Sequence, residues 1–216
     1  MSRSLVRTNR DYRLLLSASS VSNFGDGIAM VALPWLATML TSDPLLIAAV
    51  ATAQRLPWLL FALPAGVWTD RADRRLLMAR ADLMRMVLMA LTLLMVVSHT
   101  ALPVPEGSGN AAILSLTLVA FLFGSAEVIR DNAAQTVLPS IVAHGDLERA
   151  NGQMWSAEQV TGQFIGPPVA GLLIASSVAL PFGVDASIYA LSAALIWLIA
   201  LPPRKSTASA RFLPAL

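Results

Sequence analysis

The chain has 216 residues, of which 56% are hydrophobic and 13% are charged, and its formal net charge is +2. Soluble domains carry roughly 25% charged residues, so this composition excludes an ordinary soluble domain and favours a membrane protein. The absence of cysteine excludes a disulfide framework and thiolate chemistry. The two histidines, His99 and His144, are isolated in predicted loops, and we predict that they are solvated and bind no metal.

Six apolar segments are long enough to cross a bilayer, which takes about 20 residues of helix. In chain order they are Leu14–Leu40, Leu45–Trp68, Leu76–Val97, Ala111–Thr136, Gly152–Ser176 and Leu180–Leu201. The sequence therefore predicts an all-α membrane protein with six transmembrane helices.

Among the connections between these segments, only alternate ones contain arginine or lysine. They are present at the amino end, in the second and fourth connections and in the carboxyl tail, and absent from the other three connections. The positive-inside rule then places both termini in the cytoplasm. We predict that the protein lies in the plasma or inner membrane of the cell.

The long third connection divides the chain into two units of three helices with opposite orientation. We predict a transmembrane bundle over residues 1–201, built from units 1–98 and 111–201. The connection 99–110 lies on the extracellular or periplasmic side, and residues 202–216 form a cytoplasmic tail.

Several charged residues lie inside the predicted spans. A charge at the bilayer centre costs about 2.5–3.5 kcal/mol, so such residues must face the bundle interior, form pairs or line a wet cavity. Helical spacing puts the charges of span four on one face. We predict a central cavity that binds substrate and a proton, lined by Asp26, Arg55, Glu127, Arg130 and Asp131. The alternative is a static set of ion pairs that only fixes helix packing.

The remaining charges in the spans are given structural interpretations. Glu158 is expected to extend toward the cytoplasmic interface and Asp185 toward the outer interface. Asp82 and Arg85 are three residues apart in span three and are interpreted as a local helix pair.

Between spans two and three, the segment Gly66–Arg75 carries five charges in ten residues and is predicted to be a short hairpin on the water side. Its pattern resembles the signature loop between the second and third helices of major facilitator superfamily transporters. Asp73 stands where that family usually has glycine. The resemblance implies a cytoplasmic gating latch formed by Gly66, Asp70, Arg71, Arg74 and Arg75.

Span five contains small residues at intervals of four, which permit close helix packing. Two adjacent prolines lie within this stripe, and we expect them to kink the helix. The segment resembles the fifth-helix motif of facilitator-superfamily antiporters, with Ala170 in place of one glycine. The matching residues are Gly162, Gly166, Pro167 and Gly171. The resemblance implies efflux with a proton as counter-ion. The segment from Gln54 to Pro64 is also similar to the branch of enterobactin-type siderophore exporters.

Members of that superfamily have twelve helices, so the resemblance implies that this chain is an amino-terminal half. The expected function is secondary active transport, namely proton-coupled efflux of a drug or siderophore-like small molecule, with a second half supplied by another chain or by self-association. The alternative is a non-transporting fragment or a membrane interaction subunit. No enzyme is predicted, because no nucleophile–base pair, metal cluster or phosphate loop is visible, and no cofactor is expected. Topology explains the arginine-rich ends, so no nucleic-acid partner is predicted.

The predicted topology is testable because the chain has no native cysteine. We expect a membrane-impermeant maleimide to label Asn110→Cys from outside intact cells, while Thr207→Cys reacts only after the membrane is permeabilised. Labelling of Thr207→Cys in intact cells would contradict cytoplasmic termini.

Overall fold

The computed structural model describes residues 5–98, 102–103 and 109–200, with the backbone alone for residues 62–71. The predictions for His99 and for the tail 202–216 lie outside the described residues. All described secondary structure is helical. A single turn at Leu5–Thr8 precedes six helices, labelled α1 to α6: Arg10–Leu40, Pro44–Arg71, Arg74–Ser98, Asn110–Ile141, residues 147–176 and Leu180–Trp197.

The helices confirm an all-α membrane protein. Five of them are long and apolar enough to span a bilayer: α1, α2 (over Pro44–Phe61), α3, α4 and α6. The fifth predicted span lies within α5, which is built from three shorter segments, Leu147–Glu158, Gln159–Ile165 and Gly166–Ser176. A sixth crossing by α5 therefore stays a prediction.

Side-chain caps fix where three helices begin. Asn9 accepts a hydrogen bond from Tyr12 N at 3.0 Å at the start of α1. Asp43 accepts one from Leu45 N at 2.8 Å at the start of α2. At the start of α3, Asp73 accepts one from Leu76 N at 3.1 Å. Each oxygen satisfies a backbone donor that the first helical turn leaves free.

The predicted hairpin Gly66–Arg75 is shorter in the structure than in the sequence prediction. Helix α2 continues through Arg71 and α3 begins at Arg74, so only residues 72–73 lie between the two helices. Asp73 acts as a cap in this short connection. Most of the charged motif is therefore formed by helix ends.

The packing of the six helices is consistent with two related units. Helix α2 packs on α4, and α5 packs on α1; likewise α3 packs on α4, and α6 packs on α1. Helix α3 also packs on α6. Exchanging α1 with α4, α2 with α5 and α3 with α6 leaves this pattern unchanged, which is the relation expected of an inverted repeat.

The outer side of α3 is an apolar stripe. Leu83, Val87, Leu91 and Leu94 are all exposed and recur every three or four residues. Such a stripe on one helix face suits contact with lipid tails.

Helices α1 and α5 approach each other through glycine. A Cβ on Gly27 would lie 2.2 Å from Gly162 O, and a Cβ on Gly166 would lie 2.7 Å from Gly27 Cα. A Cβ on Gly171 would meet no atom within 4 Å, so Gly171 takes no part in this contact. The small-residue stripe of span five thus packs α5 directly on the backbone of α1.

A π-helical segment lies just before the prolines at which we expect α5 to kink, and the kink itself stays a prediction. Residues Gln159–Ile165 are π-helical, and Gly166–Ser176, with proline in its first turn, follows at once. Proline has no N–H for the preceding turn, and a wider turn accommodates the missing donor. Such segments are frequent at functional sites.

The close approach of α1 and α5 yields a stability prediction. We expect Gly27→Ala to lower the stability of the purified protein by about 1–3 kcal/mol, because the added methyl group must separate the two backbones. Gly171→Ala is the matched control and should be neutral or slightly stabilising, since alanine favours helix by about 0.5–1 kcal/mol over glycine. Thermal unfolding in detergent, followed by tryptophan fluorescence, measures both. Equal midpoints for the two variants would contradict the described packing.

Candidate functional site

Arg85 lies at the centre of a buried network that joins three helices. Its guanidinium group donates to Asp26 Oδ1 at 2.6 Å and to Ser22 Oγ at 2.7 Å, both on α1. It also pairs with Asp82 on its own helix. The guanidinium carbon lies 4.5 Å from the ring centroid of Tyr189 on α6. Arg85 is fully buried, so these contacts are what balances its charge.

Asp82 connects this network to two further groups. Its Oδ2 accepts a hydrogen bond from Ser192 Oγ on α6 at 2.6 Å. Its Oδ1 lies 3.9 Å from Arg130 Nε on α4. The prediction of a local Asp82–Arg85 helix pair is therefore incomplete, because both residues also make contacts that hold other helices together.

Arg130 is buried on α4 and makes two hydrogen bonds. Its Nη2 donates to Ser19 Oγ on α1 at 3.1 Å, and its Nη1 donates to Asp131 Oδ1 at 3.0 Å. The first bond ties α4 to α1. The second holds the Asp131 carboxylate beside the cation.

A cavity of about 240 Å³ lies in front of this network. The structure brings four of the five predicted cavity residues to its wall, and Glu158 joins them: Asp26, Arg55, Glu127, Asp131 and Glu158. Arg130 lines a neighbouring cavity of about 250 Å³, in which Asp131 and Glu158 take part again. The two cavities therefore share one charged face.

Glu127 and Arg55 form one edge of the first cavity. Glu127 Oε1 accepts a hydrogen bond from Trp58 Nε1 at 3.2 Å and lies 3.7 Å from Arg55 Nη1. The Arg55 side chain is 51% exposed, and its Nη2 also contacts Met30 Sδ at 2.8 Å. Arg55 is thus a cation that faces the open side of the cavity.

The structural interpretations of Asp185 and Glu158 have different outcomes. The prediction that Asp185 reaches the outer interface is wrong, because its side chain is buried and only 1% of the residue is exposed. Glu158 lines both cavities. Glu158 is also exposed, so its extension toward the cytoplasmic interface stays a prediction.

Two of the five predicted gating residues are described with their side chains. Arg74 Nη1 donates to Thr136 O on α4 at 2.8 Å. Arg75 Nη1 donates to Ile199 O at 3.1 Å, and its guanidinium carbon lies 5.5 Å from the ring centroid of Trp197 on α6. Only the backbone is described at Gly66, Asp70 and Arg71.

Four residues of the site, Arg85, Asp82, Tyr189 and Trp58, were not predicted to belong to it from the sequence. A signal was present for the first two, since Asp82 and Arg85 are charges inside an apolar span. Tyr189 and Trp58 carry no such signal, because aromatic residues are ordinary in membrane helices.

The chain is similar to known transporters. Residues 6–215 match the family described as transmembrane secretion effector. The multidrug efflux pump Tap of Mycolicibacterium fortuitum is 30% identical over 165 residues, and Tap of Mycobacterium tuberculosis is 29% identical over the same length. These matches cover 76% of this chain and 38% of each pump.

The resemblance seen in the charged motif between α2 and α3 and in the glycine–proline segment of α5 therefore agrees with a match over nearly the whole chain. That match belongs to a class of membrane transporters and not to a class of enzymes. The chain is a multi-pass membrane protein that belongs to the transmembrane secretion effector family of the major facilitator superfamily.

Proposed function

We propose that this chain takes part in the proton-coupled efflux of an organic cation across the cell membrane. The observation that carries the proposal is the cavity in the bundle whose wall brings together Asp26, Glu127, Asp131 and Glu158. Arg55 is the only guanidinium group on that wall among the described residues. The names of the similar efflux pumps support the direction of transport.

The charge of the wall favours a cation over an anion. Four carboxyl groups face one guanidinium group, while Arg85 and Arg130 lie behind the wall and are engaged with Asp26 and Asp131. Trp58 and Met30 add an aromatic and a polarizable surface beside the charges. An organic cation with apolar groups suits both features, since aromatic faces and carboxylates attract cations. An anionic siderophore suits them less well.

Protons and an organic cation would compete for the same carboxylates. A carboxylate that takes up a proton loses its attraction for the cation, so uptake of protons from one side can release substrate there. This competition is the coupling that we propose for Glu127 and Asp131, with Asp26 held by Arg85.

The cavity is open on the side where α2 and α5 lie. Arg55 on α2 and Glu158 on α5 are exposed there, although both belong to a charged wall at membrane depth. Charges at that depth require protein or water next to them. We propose that a second six-helix bundle, from another chain or a second copy, covers this side and moves against α2 and α5 during transport.

We further propose that the connection between α2 and α3 is a cytoplasmic gate. The contacts that support this are those of Arg74 with α4 and of Arg75 with the end of α6. Gly66, Asp70 and Arg71 are proposed members on the strength of their match to the family motif.

The binding proposal is tested with tetraphenylphosphonium, whose charge does not change with pH. We expect the chain in lipid nanodiscs to bind it, and Glu127→Gln to bind about tenfold more weakly, which corresponds to about 1.4 kcal/mol. Binding to the wild type should weaken as pH falls, because protons compete for the carboxylates. Equilibrium binding of the radiolabelled cation is the measurement.

The matched control is Asp43→Asn, which makes the same kind of change at an exposed helix cap where asparagine serves equally well. It should leave the affinity unchanged. Binding that Glu127→Gln leaves intact at all pH values would contradict the site. Lack of binding by the wild type would favour the alternative of a membrane interaction subunit.

The gating proposal is tested by cysteine accessibility at Ile199, which is 2% exposed. We expect Arg75→Ala to speed maleimide labelling of Ile199→Cys several-fold, because the hydrogen bond and the cation–π contact that hold this end of α6 are lost. Arg80→Ala is the control, since Arg80 is an exposed arginine on the same helix. Equal labelling rates in both backgrounds would contradict a latch at Arg75.

A further inference from the structure

The buried carboxyl group of Asp185 has no role in the site described above. The residue is 1% exposed, and neither of its carboxyl oxygens makes a hydrogen bond to any described residue. In a membrane interior, an ionised carboxylate without a donor or a cation in contact is strongly disfavoured. A group of this kind holds a proton or moves next to a positive charge.

The neighbours of Asp185 place it against Gly25, the residue that precedes Asp26 on α1. A Cβ on Gly25 would lie 3.0 Å from Asp185 Oδ1 and 2.9 Å from Tyr189 Oη, so both oxygens flank the same point on α1. Tyr189 Oη donates to Asp26 Oδ1 at 2.9 Å. Asp26 in turn lines the charged cavity.

Arg85 is a positive charge that acts on Asp185, but it is already engaged with other carboxylates. It contacts Asp26 on α1 and Asp82 on α3, and within the described part of the chain no ion pair joins it to Asp185. The charged and titratable groups that act on Asp185 are Asp26 from α1, Arg85 from α3 and Tyr189 from its own helix. One oxygen of Asp26 also lacks a partner among the described residues.

We infer that Asp185 is a second proton-binding site, which exchanges its proton with the charged cavity through Tyr189 and Asp26. In the transfer, the Asp185 side chain first turns to hydrogen-bond the Tyr189 hydroxyl group, a contact that the described arrangement lacks, and its carboxyl group then loses its proton and becomes a carboxylate. The Tyr189 hydroxyl group accepts that proton while it donates its own to Asp26, which becomes a neutral acid. The number of bound protons is unchanged, and Arg85 can then exchange Asp26 for Asp185 as its partner.

This inference deepens the proton-coupled part of the proposed function, but its consequences do not require transport. A carboxyl group that only packs would have no route to the cavity. The Tyr189 hydroxyl group offers Asp185 such a route. Tyr189 Oη and Asp185 Oδ1 lie 2.9 Å and 3.0 Å from the same point at Gly25, and Tyr189 Oη donates to Asp26.

The test is infrared difference spectroscopy of the purified full chain in lipid at neutral pH. We expect a C=O stretching band of a protonated carboxyl group that is absent in Asp185→Asn and present in Asp43→Asn. Asp185→Glu retains an acid and should shift the band without removing it, which guards against loss of the band through misfolding. The proton site would be overturned if the difference spectrum of wild type minus Asp185→Asn showed carboxylate bands instead of the acid band.

The exchange route is tested by transfer into heavy water. The Asp185 band should shift as deuterium replaces the proton, and Tyr189→Phe should slow this shift at least tenfold while keeping the band. Tyr12→Phe is the control, because the Tyr12 hydroxyl group bonds to Gln153, away from this network. An unchanged exchange rate in Tyr189→Phe would overturn the route. Cation binding by the wild type is measured separately, so a failure of the proton site and a failure of the proposed function give different results.

Discussion

The structure depends on how one fully buried guanidinium group is balanced inside a membrane protein. Arg85 cannot be left unpaired in that environment, and its partners come from α1 and from its own helix, with an aromatic ring of α6 against its face. Asp82 extends the same network to α6 and α4. These helices must therefore lie where their side chains can neutralise the buried charges of the core.

Close backbone contact makes this arrangement sterically feasible. Gly27 follows Asp26 directly, and the backbones of α1 and α5 meet there without side chains between them. Gly124 gives α4 a similar approach to α2, since a Cβ there would lie 2.1 Å from Gln54 O. Under the exchange of the two units, these are corresponding contacts. Small residues thus bring four helices close enough for their polar groups to share one cavity.

The helical class and the membrane environment could be predicted from the sequence because length, hydropathy and charge are properties of each segment alone. The depth and helix face of Arg55 and Glu127 also predicted that these two residues lie near each other, and they form an ion pair in the structure. The prediction for Asp185 was wrong and that for Arg85 incomplete because their surroundings lie on other helices, and spacing along the chain reports only local partners. The π-helical segment of α5 was not predicted. A proline indicates that a backbone hydrogen bond of the helix is missing, but it does not determine whether the helix kinks or widens into a π-helical turn.

The balance of charges links the two ligands that we propose for this protein. The buried network, the cavity wall and the unpartnered Asp185 together hold six carboxyl groups, on Asp26, Asp82, Glu127, Asp131, Glu158 and Asp185, and three guanidinium groups, on Arg55, Arg85 and Arg130. A membrane interior does not tolerate the resulting excess of negative charge, so protons or a bound cation must offset it. Binding of either ligand then weakens the binding of the other, because less negative charge remains to be offset. Because such coupling is reciprocal, a cation that displaces protons from this network is itself displaced when protons return.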